Sequence, residues 1–370
     1  MTATPASPRA PGQITVEWLS HVLRGAGVLG DAVIEQATVE AIGDLGGVNG
    51  ETCRVRLGYA PGRRPPRLAP RTLVAKFPAD RAGARGVAAF QRWYEREVAF
   101  YESLAPTAMI RTPRCYAASI DPSGDYVLLL DDLWPRTQGD QIAGCTLDDA
   151  RAALEAVAGL HARWWGAPPP VSDAMPETTV GLDRAERVGG ALARFWERTR
   201  DLVPMPGSVA LRIPELVEGY VPLLREMASG PVTLAHGDYR LDNLFFDPHA
   251  PRRDYVTAID WQFVCRCRGM LDVGYFIGLD LDPALRRAHE RELIEGYLAA
   301  LHARGVGDYG KAAAWDDYRR ALLLGFAVFL IGTAGEQPNA RMARVHEVGL
   351  ARLAAAIEDT DAFGVLAKRP

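Results

Sequence analysis

His236-Gly237-Asp238-Tyr239-Arg240-Leu241-Asp242-Asn243 and, further on, Ala258-Ile259-Asp260-Trp261-Gln262 bring together two carboxylates and a carboxamide at telling spacings. Asp238 and Asn243 sit five residues apart on what reads as a short loop, after the apolar strand start Thr233-Leu234-Ala235. Asp260 follows 17 residues after Asn243, at the end of a second apolar run, 255–259. Mg²⁺-dependent phosphoryl transfer from a nucleotide requires such groups. One carboxylate accepts the proton of the attacking hydroxyl, and a second carboxylate with a side-chain amide holds the metal that bridges the phosphates. Either cluster alone suits an ordinary turn, because Asp and Asn side chains hydrogen-bond nearby backbone. The joint pattern points to the catalytic arrangement.

At these residues the chain resembles the aminoglycoside phosphotransferase and choline kinase superfamily of small-molecule kinases. The variant HGDYRLDNLFF (236–246), IDWQ (259–262) and DVGYF (272–276) looks closest to its ecdysteroid-kinase-like branch and bacterial relatives. The likeness extends over roughly residues 35 to 350 and is sharp only at the motifs. It implies an α+β, bilobal, protein-kinase-like fold with ATP or GTP bound between the lobes. By position it makes Asp238 the catalytic base, and Asn243 and Asp260 the Mg²⁺ ligands. It also makes Asp272 a tether of the catalytic loop that touches no substrate.

With 370 residues the chain can bury a large core and divide in two. Its 48% hydrophobic and 24% charged content is that of an ordinary globular protein. A net charge of −4 and a pI near 6.0 exert no general pull on nucleic acid or anionic membranes. Five cysteines, an odd number without CxxC spacing, argue against a disulfide framework or a zinc site and for a reducing, cytoplasmic setting. Cys265 and Cys267 read as small core residues. Residues 1–13 carry no apolar segment and read as a flexible tail rather than a signal peptide. The longest apolar run, 321–335, is too short to span a bilayer and reads as a buried helix.

Strand-like segments cluster early, at 33–42, 52–59, 71–77, 114–120 and 126–130, with a long helix expected over 87–104. Thr15 is a candidate cap for a helix over 14–24. From Thr146 onward helices dominate: 147–165, 183–200, 213–227 and four more between 271 and 358. Early strands and late helices indicate α+β segregation. The expected division is an N-lobe over 14–130 with a five-stranded antiparallel sheet, a hinge near 128–134, and a mostly helical C-lobe over 131–370.

Lys76 ends the strand Leu73-Val74-Ala75-Lys76-Phe77. On the next helix Phe90, Tyr94, Tyr101 and Leu104 form an apolar stripe at helical spacing, and Glu97 falls inside it. A carboxylate on a buried face is costly unless a cation meets it, and Lys76 is the simplest partner. In kinases such a lysine orients nucleotide phosphates. The glycine-rich segment 43–52, with Gly46, Gly47, Asn49 and Gly50, is either a β-turn or a lid whose N–H groups meet phosphate. The hinge, at Asp131 and Leu133, is expected to offer backbone hydrogen bonds to the purine, while the carboxylates of Asp131 and Asp132 read as turn formers.

Two departures exclude a regulated protein kinase. Gly237 stands where an arginine would read an activation-loop phosphate, and only 12 positions separate Asp260 from Asp272. The partners expected are therefore a nucleoside triphosphate and a compact hydroxyl compound, with the oligomeric state left open. Residues 271–370 hold 14 acidic against 12 basic residues, no excess suited to a polycationic aminoglycoside. A largely uncharged alcohol fits better: a secondary metabolite, a nucleoside-type antibiotic or a sterol-like compound. A nucleotide-binding pseudokinase and a metal-dependent phosphoester hydrolase remain as alternatives. The intact residue set argues against the first, and the second has no use for a Lys76–Glu97 pair.

Overall fold

The computed structural model describes residues 5–42, 50–61, 65–80, 82–168, 175–200, 205–334 and 339–366. The chain forms two compact units, residues 1–106 with 112–135 and residues 107–111 with 136–370. Within 5–13, where the sequence suggests a flexible tail, Pro11–Gln13 make a 3-10 turn, Pro8 is buried and Arg9 pairs with Asp121 at 2.8 Å.

The first unit starts with helix α1 (Val16–Gly25), capped by Thr15, whose Oγ1 accepts from the Trp18 N–H at 3.2 Å. Strands β1 (Ile34–Ala41), β2 (Gly50–Tyr59), β3 (Thr72–Pro78), β4 (Cys115–Ile120) and β5 (Tyr126–Asp131) form one antiparallel sheet in the order β1-β2-β3-β5-β4. Side chains alternate across a strand, so Leu73, Ala75 and Phe77 of β3 and Val127 and Leu129 of β5 share one face. They pack there with Trp18, Leu19 and Leu23 of α1. The opposite face receives Lys76 and Tyr126.

Helices α2 (Ala82–Gln91) and α3 (Trp93–Ala99) and a π-helical turn, Phe100–Leu104, replace the single helix expected over 87–104. The break lies at Arg92, whose φ of 57° is left-handed and interrupts the i→i−4 ladder. The apolar stripe therefore begins after the break. Tyr94, Glu97, Tyr101 and Leu104 are buried, while Phe90 is 38% exposed. Tyr94 stacks on Tyr126 with ring centroids 4.3 Å apart, which docks α3 on the second face of the sheet.

The second unit is mostly helical, with α4 (Leu147–Arg163), α5 (Ala185–Thr199), α6 (Gly207–Ala210), α7 (Ile213–Met227), α8 (Met270–Asp280), α9 (Pro283–His302), α10 (Lys311–Ala334) and α11 (Ala340–Asp359). Two small sheets carry its loops. One joins β6 (Thr137–Gln138), β8 (Leu244–Phe246) and β9 (Val256–Ala258), and the other pairs β7 (Val232–Ala235) with β10 (Cys265–Arg268). Cys265 and Cys267 are buried free thiols on β10. Among the described residues no helix is long and apolar enough to cross a membrane. The 321–335 run belongs largely to α10, which packs against α8 and α11.

The α8–α10 contact decides where the functional loops sit, because α8 supplies both Asp272 and Tyr275. It is close because glycines face it: a Cβ on Gly274 would lie 2.6 Å from the Ala321 Cβ, and one on Gly278 2.5 Å from Leu322 Cδ2. Gly274→Val should therefore destabilise the protein by ~1–3 kcal/mol through overpacking. A thermal melt checks it: an unchanged midpoint would mean that α8 can shift away from α10 at little cost.

Candidate functional site

The residues singled out by sequence lie in both units. In the first unit the alternation of β3 turns Lys76 away from the α1 core, toward α3. Its Nζ donates to Glu97 Oε1 at 2.7 Å and Oε2 at 2.9 Å. The Glu97 side chain is wholly buried and that of Lys76 is 15% exposed, so the pair presents only the lysine end to solvent. Sequence reasoning placed both partners correctly in contact.

Gly46, Gly47 and Asn49 lie outside the described residues. Gly50 opens β2, where a Cβ would come within 3.0 Å of the Phe77 carbonyl oxygen, a packing reason for glycine. At the hinge the Asp131 N–H donates to the Arg114 carbonyl at 2.8 Å, and its carboxylate accepts from the Tyr116 hydroxyl at 2.6 Å. Asp132 is held by Arg54 Nε at 2.6 Å and by the Trp134 N–H at 3.1 Å. Leu133 is buried.

In the second unit β7 delivers His236 to a loop whose backbone is fixed by one buried carboxylate. Asp272 Oδ2 accepts from the His236 N–H at 2.7 Å and Oδ1 from the Gly237 N–H at 2.8 Å. His161 of α4 closes the arrangement, with Nε2 3.0 Å from Asp272 Oδ2 and Nδ1 2.8 Å from the Tyr297 hydroxyl. His161 reads from sequence as a plain core residue. Its burial agrees, but its contact with Asp272 ties the 236–243 loop to α4 and α9.

Gly237 adopts φ 82°, and a Cβ there would run into the Phe263 carbonyl. No arginine fits that position. The imidazole of His236 bridges the two functional loops: Nε2 lies 2.9 Å from the Ile259 carbonyl and Nδ1 accepts from the Asp238 N–H at 3.3 Å. A carbonyl can only accept, so Nε2 carries the proton.

Asp238 is buried, and Asn243 Nδ2 donates both to its Oδ2 and to its backbone oxygen, each at 2.9 Å. With the amide nitrogen turned to Asp238, the amide oxygen is the end of Asn243 that a cation could use. The hairpin of β8 and β9 pairs Leu244 with Ala258, and the Ile259 N–H donates to the Asn243 carbonyl at 2.9 Å. That register sets Ile259 opposite Asn243, with Asp260 next along the chain. Asp260 itself has φ 65° and ψ 67°, a left-handed backbone that costs a non-glycine residue about 1–3 kcal/mol. Its Oδ2 accepts from Gln262 Nε2 at 3.2 Å. Among the described residues no group of three or more His, Cys, Asp or Glu is arranged to hold a metal. One carboxylate and one amide oxygen suit Mg²⁺, which keeps several waters and completes its shell with phosphate oxygens.

Sequence reasoning passed over Arg240, Tyr275 and Asp280. Arg240 Nε lies 3.1 Å from both Asp238 oxygens. Burial, together with the nearby Asp238 charge, raises the phenol of Tyr275 of α8 well above the usual range. Asp280 accepts from the Leu241 N–H at 3.0 Å, and burial pushes its carboxyl well up, toward the neutral form. The alternation Asp238-x-Arg240-x-Asp242 is the signal that could have exposed Arg240.

Residues 191–305 match the ecdysteroid kinase-like family. No curated protein matches the chain. Among solved structures, a microcompartment-associated aminopropanol kinase is similar at a TM-score of 0.55 and 15% identity, over 94% of this chain and 99% of that one. An ethanolamine kinase of Plasmodium vivax is similar at 0.51 and 10%, over 90% and 86%. The GDP complex of a wild-type aminoglycoside 2'-phosphotransferase is similar at 0.50 and 12%, over 92% and 99%. In fold the chain is thus similar to these kinase and phosphotransferase structures, and across residues 191–305 it matches the ecdysteroid kinase-like family.

Proposed function

We propose that the protein transfers the γ-phosphoryl group of ATP or GTP to a hydroxyl of a small molecule. The observation that carries this is the joint placement of Asp238, Asn243 and Asp260 by the Asp272-held loop and the β8–β9 hairpin. Asp238 accepts the proton of the acceptor hydroxyl as its oxygen bonds to the γ-phosphorus. The bond from that phosphorus to the bridging oxygen breaks, and the nucleoside diphosphate leaves with the electron pair. Mg²⁺, held by Asp260 and the Asn243 amide oxygen, would neutralise phosphate charge. Lys76, oriented by Glu97, is the residue for the α and β phosphates. With the Asp131 N–H engaged by Arg114, the hinge contact to the purine falls to the backbone of Leu133.

The acceptor is best read as a largely uncharged alcohol with an apolar body. Beside Gly237 and Tyr275 lies a mostly apolar cavity of about 20 Å³, room for a water-sized group only, lined among others by Thr179, Tyr220, Leu224, Leu324 and Val328. Asp242 is no free anion. Burial opposes its ionisation, yet Arg341 and Arg240 hold it below the usual range as a paired carboxylate. An amino-group polycation finds little to bind there. Nucleotide consumption across a panel of hydroxyl compounds, with product mass raised by one phosphoryl group, tests this. Labelling of generic peptides instead would overturn it.

Asp238→Ala should abolish transfer and leave nucleotide affinity nearly intact. Retention of more than about a tenth of wild-type turnover, a loss under ~1.4 kcal/mol, would remove Asp238 from the role of base.

Asp260→Asn should weaken Mg²⁺-dependent nucleotide binding and turnover together, and Asn243→Ala less so, because a charged oxygen ligand contributes more than a neutral one. Calorimetric titration of nucleotide with and without Mg²⁺ decides the matter. An unchanged metal dependence in Asp260→Asn sinks the ligand role.

Lys76→Met and Glu97→Gln should be strongly non-additive in turnover, since removing either partner strands the other, and breaking a buried pair costs about 3–5 kcal/mol. A double-mutant cycle in which the two effects simply add would show the pair to be incidental.

A further inference from the structure

Two residues beyond Asp238, Arg240 is the centre of a charge relay that no step above uses. Its Nε spans both Asp238 oxygens at 3.1 Å, while Nη1 donates to Gln141 Oε1 at 2.9 Å and to Asp242 Oδ2 at 3.2 Å. Asp242 is gripped in turn by Arg341 of α11, at 2.9 Å to Oδ2 and 2.8 Å to Oδ1. The Gln141 N–H adds a fourth hydrogen bond to Asp242 at 3.0 Å. The contacts run without a gap from the base to the last long helix.

Holding the loop together does not account for this relay. Asp272 already fixes the backbone at 236–237, Asp280 fixes Leu241, and the Tyr239 hydroxyl donates to the Ala153 carbonyl at 2.7 Å. A buried ion pair also adds little net stability over apolar packing. Nor is the pair sealed. The side chains of Arg240 and Asp238 keep 17% and 11% of their surface accessible, so solvent, or a hydroxyl, reaches the same carboxylate that the guanidinium holds. A guanidinium is planar, and its N–H groups diverge in fixed directions. With Nε on the base and Nη1 on Asp242 and Gln141, it cannot turn without breaking several bonds.

We infer that Arg240 is the positioning residue of the base: it fixes the plane of the Asp238 carboxylate toward the incoming hydroxyl, and Arg341 keeps it there by occupying Asp242. Without Arg341, Asp242 would be left, among the described residues, with Arg240 as its cation and would draw it from the base. The inference rests on Asp238 being the base, as proposed above.

The test measures Mg²⁺-dependent ATP hydrolysis, with water in the acceptor's place, beside ATP affinity by calorimetry and a thermal melt. Arg240→Gln should lower kcat about 100-fold, the effect of a misplacement near 1 Å, with the KM and Kd for ATP changed less than about twofold. Arg240→Lys should recover only part of kcat, because an ammonium keeps the charge but cannot span the same acceptors. Arg341→Gln should lose about three- to tenfold in kcat alone. Arg240→Gln with kcat within about threefold of wild type overturns the inference, as does parallel loss of kcat and ATP affinity. Should Arg240→Gln fail to fold, Arg240→Lys decides: a fall in kcat alone supports the inference, and wild-type kcat overturns it. Turnover lost in Asp238→Ala but kept in Arg240→Gln removes this inference only. Absence of turnover of both ATP and GTP in the wild-type protein, with water and across the panel of hydroxyl compounds alike, removes the phosphotransferase proposal and this inference together.

Discussion

The chemistry of the second unit hangs on the buried carboxylate of Asp272. A charged oxygen pair placed away from water must be met by donors, and here the donors are the backbone N–H groups of His236 and Gly237 and the imidazole of His161. The same bonds that satisfy the carboxylate bend the chain at the end of β7 and aim the next side chain, Asp238. The bend is possible because Gly237 accepts a positive φ and has no Cβ to strike Phe263. Asp272 can stand at that point because α8 lies flush against α10 through Gly274 and Gly278. Helix packing on one side of the unit thereby sets the geometry of a loop on the other.

From the base outward, the polar groups form two branches. Asn243 and the hairpin of β8 and β9 lead to Asp260, whose left-handed backbone is retained although an asparagine or glycine would adopt it more easily. A conformational cost kept at a carboxylate is reasonable where the carboxylate itself is needed. Arg240, Asp242 and Arg341 lead the other way, to α11. In that branch every charge is compensated by a neighbour, so the surroundings of Asp238 contain little net charge to attract a polycation. The apolar cavity beside Tyr275 agrees with that balance.

In the first unit the Lys76–Glu97 pair was legible because two periodicities meet. The alternation of β3 sends Lys76 to the face opposite α1, and the helical stripe of α3 buries Glu97. The break at Arg92 did not spoil the inference, since Glu97, Tyr101 and Leu104 all follow it. Phe90, on the far side of the break, is where extrapolating one helix over 87–104 went wrong. A local backbone conformation at one residue leaves no trace in a hydrophobic period.

The five strands, their segregation from the later helices, and the loop that carries Asp238 and Asn243 could be read directly from the sequence. Each is written in a local pattern: alternation in β3, helical spacing after Arg92, and carboxylates spaced along one loop. The aspartates and the asparagine were visible because their chemical types narrow the choices. What tertiary structure alone decided is which groups hold the loop around Asp238. His161, Asp272, Asp280 and Arg341 come from α4, α8 and α11, tens of positions or more from Asp238 in the chain. Arg240 is two positions away, yet where its guanidinium points depends on Gln141 and Asp242. A side chain's type is set by its own codon, but its partners are set by the packing of helices whose contacts span from about 40 to more than a hundred residues. Periodicity carries no information at that range.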